Sequence, residues 1–431
     1  MDQEQLGKKL VEYTMNIRRK ENKEGIRKAE KKYGKKVRKL LKGKITFAQA
    51  KKHGITKMLD ELTRTDYGPL FIKSKGAYTP KTGVGNCVSI AFNEATRPAA
   101  ESIRRECLKR GAHVIMSQRG TRETREAYLL PPLDTLAEAS PMSVALSHVI
   151  DYSFRIGAIE NEFWKGGIAA EKLITNSAPM MKIREIQDKK QQRWCLVGWP
   201  HPQIAKELGI SPKEFERIVF GSIEESFSPR TIKLVDGYYK ALKGAKTIRI
   251  VHDDGTDLTF SVKGREFLRD RGFLTDEDLA KGDVGMNIPT GEIFTAPVEH
   301  SANGVLKIPK NIIHGYGLAE GIELYFKNGE VVEYKAKKNR DHLTKFFAEN
   351  TGEKKRIAEL GIGCNSKAEF TNGYIIVDEK IKGTLHIAIG WNIGYGGKNV
   401  ASSHLDFIKP MDKGRMYADG RLVMDHGRLV A

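Results

Sequence analysis

The chain has 431 residues, 40% hydrophobic and 8% aromatic, and carries a formal net charge of +19. That length exceeds one ordinary core and implies two or three domains, while the lack of any run of eighteen apolar residues excludes a helical membrane span. A charged N-terminus without an apolar signal segment, and four scattered cysteines without metal-ligand spacing (Cys87, Cys107, Cys195, Cys364), point away from secretion and disulfide scaffolds and towards a reducing cytoplasm.

The basicity is concentrated at the start. Residues 1–60 hold 19 Lys/Arg against 7 Asp/Glu, so +12 of the +19 lies there. Residues 1–75 therefore read as a basic helical extension, with Val37 and Leu41 one helical turn apart on a face that rests on something larger. Such a face could neutralise phosphates of a nucleic acid. A solvated extension is favoured, because no base-reading motif accompanies the charge.

Residues 76–235 read as an α/β domain. NCVSIAF is an apolar strand, Thr96 and Pro98 start a helix that Gly111 ends, and AHVIMS is the next strand, so a parallel sheet is expected. No glycine fingerprint for a nucleotide follows the strand. Residues 134–149 are helix-compatible but interrupted by Pro141, and IDYSFRIGAI reads as a strand. Ser211-Pro212-Lys213-Glu214 has the form of a capping box opening a helix to about Ile223, and residues 224–245 read as a link. Residues 236–431 are β-rich. Hairpins are expected around Asp254-Gly255 and Asn328-Gly329, turns at Asn303-Gly304 and Asn372-Gly373, and a helix at RDHLTKFFAEN. The fold class is α/β plus α+β: an N-terminal α/β domain with a parallel sheet, then a C-terminal β-rich metal-binding domain.

The chemistry gathers in that last part. Glu292 (NIPTGEIFTAP), Glu359 (RIAELGIG) and Glu379 (IIVDEKIKG) sit among aliphatic residues, where a charged carboxylate needs a partner. His386 lies on an alternating apolar run. His404 and Asp406, two apart on a strand, point to one face. These six groups cannot satisfy one another, but a pair of divalent cations would satisfy all of them. Oxygen and imidazole ligands without thiolate suit Zn, Co, Mn or Fe, and two such ions can activate water for hydrolysis.

Taken in order, NIPTGEIFTAP, AELGIG, HIAIG and SSHLDFI resemble the motifs of the aminopeptidase T family, the M29 metallopeptidases. IGAIENEFW and QRWCLVGWPHPQIAKELGISPKEFERIVF extend the likeness upstream, over residues 85 to 410. The resemblance implies two divalent metal ions (Co, Zn or Mn), removal of N-terminal residues from peptides by a dinuclear metal-activated water, and a homodimer. It assigns Glu292, Glu359, His386, His404 and Asp406 as metal ligands, with Glu359 touching both ions. Glu379 matches the remaining ligand once a short insertion is allowed. Glu359 and Tyr395 are the catalytic candidates it implies, Tyr395 as donor to the oxyanion, and Glu292 or an unmatched residue stays open as general base.

The chain departs from the family in three ways. The segment from His386 to His404 is shorter. The place of the family's active-site tyrosine reads Trp391-Asn392-Ile393, with Tyr395 the nearest phenol. The basic extension lies outside the family pattern. A second reading is a single-Fe(II) ring-cleaving dioxygenase of a related fold acting on a dihydroxypyridine, held by His386, His404 and Asp406. A third is an idle scaffold that binds nucleic acid through residues 1–60.

Overall fold

The computed structural model describes residues 1–17, 20–64, 70–74, 76–81, 85–157 and 164–430. It divides into two compact units, one comprising Met1–Asn16, Ser89–Ile103 and Met116–Ala431, the other Ile17–Val88 and Arg104–Ile115. The basic stretch expected as a helical extension contributes to the second unit. There Lys23–Tyr33, Lys36–Leu40, Phe47–Lys52 and Thr56–Glu61 are helical, and Ile45–Thr46, Ala77–Pro80 and Phe71–Ser74 form a small antiparallel sheet in that order. Ile26, Ala29, Val37, Ala50, Met58, Leu59, Leu62, Leu70, Phe71 and Tyr78 form its core, with Leu41 packed against it. Sparse apolar residues at helical spacing thus suffice for a small core, and the lysines occupy its outside.

Ten strands set the position of the chemistry. They are β1 (Cys87–Phe92), β2 (His113–Gln118), β3 (Tyr152–Ile156), β4 (Arg193–Val197), β5 (Leu268–Asp270), β6 (Gly285–Ile288), β7 (Glu292–Thr295), β8 (Ile357–Gly363), β9 (Thr384–Gly390) and β10 (His404–Pro410). One five-stranded sheet runs β6-β4-β3-β1-β2, and its β6/β4 and β4/β3 pairings are parallel. A second runs β5-β7-β8-β9-β10 and is antiparallel throughout. An eight-stranded antiparallel sheet is built from Thr247–His252, Thr256–Ser261, Asn303–Ile313, Gly317–Lys327, Glu330–Lys335 and the three strands after residue 413.

Among the helices of the larger fold are α1 (Arg97–Lys109), α2 (Ser177–Lys190), α3 (Pro212–Glu225), α4 (Pro229–Leu242), α5 (Arg340–Glu349) and the short α6 (Ile375–Asp378). Asn93 and Thr96 close a reciprocal cap just ahead of α1. Pro141 opens the helix Pro141–Val149, with Ser140 as its cap, rather than breaking a longer one. At α3, Ser211 accepts the Glu214 N–H, but the Glu214 carboxylate turns to Arg217, a charge-assisted pair that outcompetes the return half of the box. Residues 224–245 are mostly α4. Both expected hairpins form. Asn303-Gly304 does not make a turn but starts an eleven-residue strand. A Cβ on Gly304 would lie 2.0 Å from the Asp257 carbonyl oxygen, so this glycine serves close strand approach. IGAIENEFW falls largely on residues 158–163, outside those described.

The second sheet separates its faces by alternation. Leu360, Ile362, Leu385, Ile387, Ile389, Leu405 and Phe407 join the large core shared with the eight-stranded sheet, α4 and α5. The intervening positions carry Glu359, Gly361, His386, Ala388, His404 and Asp406. Among the described residues no helix is long and apolar enough to cross a membrane.

Candidate metal centre

Register explains how these side chains meet. Ala388 on β9 stands opposite Glu359 on one side and Asp406 on the other; Gly361 stands opposite His386, and Gly390 opposite His404. No group larger than a methyl therefore lies between polar side chains of neighbouring strands. Gly361 is needed for this, since a Cβ there would lie 2.1 Å from His386 Nε2. Glu292 opens β7, opposite Asp270 of β5 and Gly363 of β8. Glu379 follows α6 and accepts from the Asn287 amide at 3.2 Å.

All six residues expected as ligands converge. His386 Nε2 lies 3.4 Å from Glu359 Oε1 and 3.7 Å from Glu292 Oε2. His404 Nε2 lies 3.4 Å from Glu359 Oε2 and 3.2 Å from Asp406 Oδ1. Glu292, Glu359, Glu379, His386 and Asp406 are buried and His404 is half-buried. The Trp391 carbonyl can only accept, and at 2.8 Å it fixes the proton of His404 on Nδ1, so a neutral imidazole turns the Nε2 lone pair to the carboxylates. The Tyr395 hydroxyl donates to the same carbonyl at 3.2 Å and lies 3.3 Å from His404 Nδ1.

Three residues of this site carry no sequence motif. Lys380 is fully buried, its ammonium 2.5 Å from Glu292 Oε1, 2.8 Å from Glu379 Oε1 and 3.9 Å from Asp270 Oδ2. Asp270 and Asn287 complete the group. A lysine in DEKIK and an aspartate in FLRD read as surface residues; only the sequence neighbours Glu379 and Lys380 hinted at a pair.

The electrostatics are those of crowded, buried acids. Burial pushes Glu292 up to about 8, against the pull of Lys380 and with the repulsion of Glu379. Burial raises Asp270 to about 6, again against Lys380. Burial also opposes ionisation of Glu359, but its contacts with His386 and His404 win and hold it below the usual carboxylate range. Asp406 is likewise held low by His404 against burial. Burial disfavours a charged His386, yet Glu359 and Glu292 carry it up to about 9. Burial raises the Tyr395 phenol, aided by the charges of Glu359 and Asp406, so it keeps its proton.

The donor set fits a hard or borderline dication. Glu359, His404 and Asp406 form one group with ligand atoms within 4.8 Å of one another, and Glu379, His386 and Asp406 form another. Among the described residues Glu292 Oε2, Asp270 Oδ1 and His386 Nδ1 are buried without a hydrogen-bond partner, a cost that a bound cation would relieve at the carboxylates.

Comparison with known proteins agrees with the chemistry. Residues 230–406 match the family described as thermophilic metalloprotease (M29). Aminopeptidase AmpS of Bacillus subtilis is 27% identical over 192 residues, 39% of this chain and 45% of its own length. Aminopeptidase T of Thermus thermophilus is 27% identical over 272 residues, 55% of this chain and 65% of that one. The aligned region thus spans less than two thirds of either relative. The solved wild-type AmpT from Thermus thermophilus shares the fold with a TM-score of 0.60 at 20% identity, covering 80% of this chain and 94% of that one. A 2,5-dihydroxypyridine dioxygenase from Pseudomonas putida KT2440 superposes with a TM-score of 0.52 at 17% identity, covering 80% and 92%.

Proposed function

Because residues 230–406 match the thermophilic metalloprotease (M29) family, we propose that the chain is a metal-dependent aminopeptidase that removes N-terminal residues from peptides. The observation that carries this reading is the convergence of Glu292, Glu359, Glu379, His386, His404 and Asp406 on one side of the second sheet. The cofactor we propose is two divalent ions, Co, Zn or Mn. Counted as ionised, Asp270, Glu292, Glu359, Glu379 and Asp406 oppose the single ammonium of Lys380. With neutral imidazoles, two dications would cancel the remaining charge. Asp406 belongs to both candidate groups, and Glu359, within 3.4 Å of both imidazoles, would help to hold the ions.

When bound, such ions polarise a carbonyl and acidify water. The chain's own residues supply the rest. The protonated phenol of Tyr395 is the donor for negative charge developing on the carbonyl oxygen. The single-iron dioxygenase reading needs only His386, His404 and Asp406 and leaves three buried glutamates without a role.

Residues 236–431 are the catalytic portion in this reading. A cytoplasmic site of action is part of it, supported by four free cysteines; a homodimer rests on the family resemblance. Nucleic-acid binding by residues 1–60 has no support beyond charge. The test is mass spectrometry of short peptides after EDTA treatment and reloading with Co, Mn or Zn. Sequential loss of N-terminal residues is expected, abolished by N-acetylation of the peptide. No trimming under any of the three metals refutes the reading.

A further inference from the structure

The two candidate ion positions differ in one neighbour. One is bounded by Glu359, His404 and Asp406, the other by Glu379, His386 and Asp406. At the first, the carboxylates face imidazoles: Glu359 Oε2 lies 3.4 Å and Asp406 Oδ1 3.2 Å from His404 Nε2. Among the described residues no lysine or arginine forms an ion pair with Glu359 or Asp406. At the second, a permanent cation is already in place. Lys380 Nζ stands 2.8 Å from Glu379 Oε1 and 2.5 Å from Glu292 Oε1. The Asn287 amide donates to the same Glu379 oxygen at 3.2 Å. Glu292 turns its other oxygen to His386 Nε2 at 3.7 Å.

That ammonium is held where it is. The Lys380 side chain is fully buried. Its backbone N–H donates to the Val377 carbonyl and its carbonyl accepts from the Asn365 N–H. The Asn365 side chain is fixed in turn by the carbonyls of Ser222 and Thr290, at 2.9 and 2.8 Å. Withdrawing the ammonium from the glutamates would leave a buried charge unpaired. A dication beside His386 therefore meets glutamates already partly neutralised, and a fixed like charge that they hold. A dication beside His404 meets neither.

We propose that Lys380 makes the two positions unequal: the ion at Glu359, His404 and Asp406 binds tightly, and the ion at Glu379 and His386 is weakly held and exchangeable. This rests on the reading of the site as a pair of dications, and it adds an order of filling. The protein carries one ion when metal is scarce and becomes dinuclear when it is plentiful, so the second ion sets how activity follows metal supply.

The experiment titrates the full-length, EDTA-stripped protein with manganese(II) chloride alone, reading free Mn by electron paramagnetic resonance. H404Q and H386Q each keep one position, so repulsion between two ions plays no part in them. The remaining equivalent is expected to bind about tenfold or more tightly in H386Q than in H404Q, since repulsion between an ammonium and a dication at such range exceeds one power of ten in affinity. Adding K380M to H404Q should tighten its ion by about tenfold or more, adding it to H386Q should change little, and K380R should behave as the wild type. Equal affinities in the two histidine variants, or a tighter ion in H404Q, overturn the proposal; that pair keeps Lys380 and decides even if K380M does not fold. So does an H404Q ion that K380M leaves unchanged. Because no peptide enters the measurement, a protein that shows these affinities but trims no peptide refutes the aminopeptidase reading alone.

Discussion

Replacing Lys380 by methionine removes the one ammonium that serves three buried carboxylates while keeping the length of the stem. In the metal-free protein Glu292 and Glu379 lose contacts of 2.5 and 2.8 Å, and Asp270 loses a neighbour at 3.9 Å. Breaking a buried ion pair from one side costs about 3–5 kcal/mol. Protonation moderates this, because Glu292 already titrates near 8 and Asp270 near 6. Without Lys380 both values rise further. An acid whose folded pKa lies above its unfolded value of about 4 loses stability as pH rises between the two. The deficit of K380M should therefore be about 3 kcal/mol at pH 6 and larger at pH 8. Added Mn should shrink it, since a dication supplies the missing charge. The assay is urea unfolding followed by tryptophan fluorescence, with and without EDTA; Trp164, Trp194, Trp199 and Trp391 all lie in the larger unit, so the signal reports the part that holds the site. A loss under about 1 kcal/mol in EDTA at pH 8, or a deficit that shrinks as pH rises, would refute the claim that Lys380 neutralises this cluster.

Asp406 belongs to both candidate ion-holding groups and His404 to one, so D406N should lose both metal equivalents and H404Q one, as read by elemental analysis after gel filtration. G361A puts a methyl 2.1 Å from His386 Nε2 and should weaken metal binding by about 10–100-fold, the range seen when a ligand's support is removed, with the circular dichroism unchanged. His386 titrates near 9 and Glu292 near 8 in the metal-free protein, so metal uptake at pH 7 should release protons and the apparent affinity should fall as pH drops below about 9. Calorimetry in buffers of different ionisation enthalpy measures that release, and identical heats in all of them would contradict it.

What the sequence disclosed and what it hid divide along a physical line. His404 and Asp406 could be placed on one face because a strand alternates with a period of two, and the same rule separates His386 from the core residues Leu385 and Ile387. Glu292 and Glu359 stood out because carboxylates inside aliphatic runs need a counter-charge. The strands β1 and β2 and the two hairpins followed from local pattern and turn chemistry. Lys380 was hidden because its burial comes from tertiary packing around α6 and β7, and nothing within DEKIK distinguishes it from a surface lysine. Gly304 misled because glycine serves a turn and a close strand approach equally well, and only the partner strand at Asp257 decides between them.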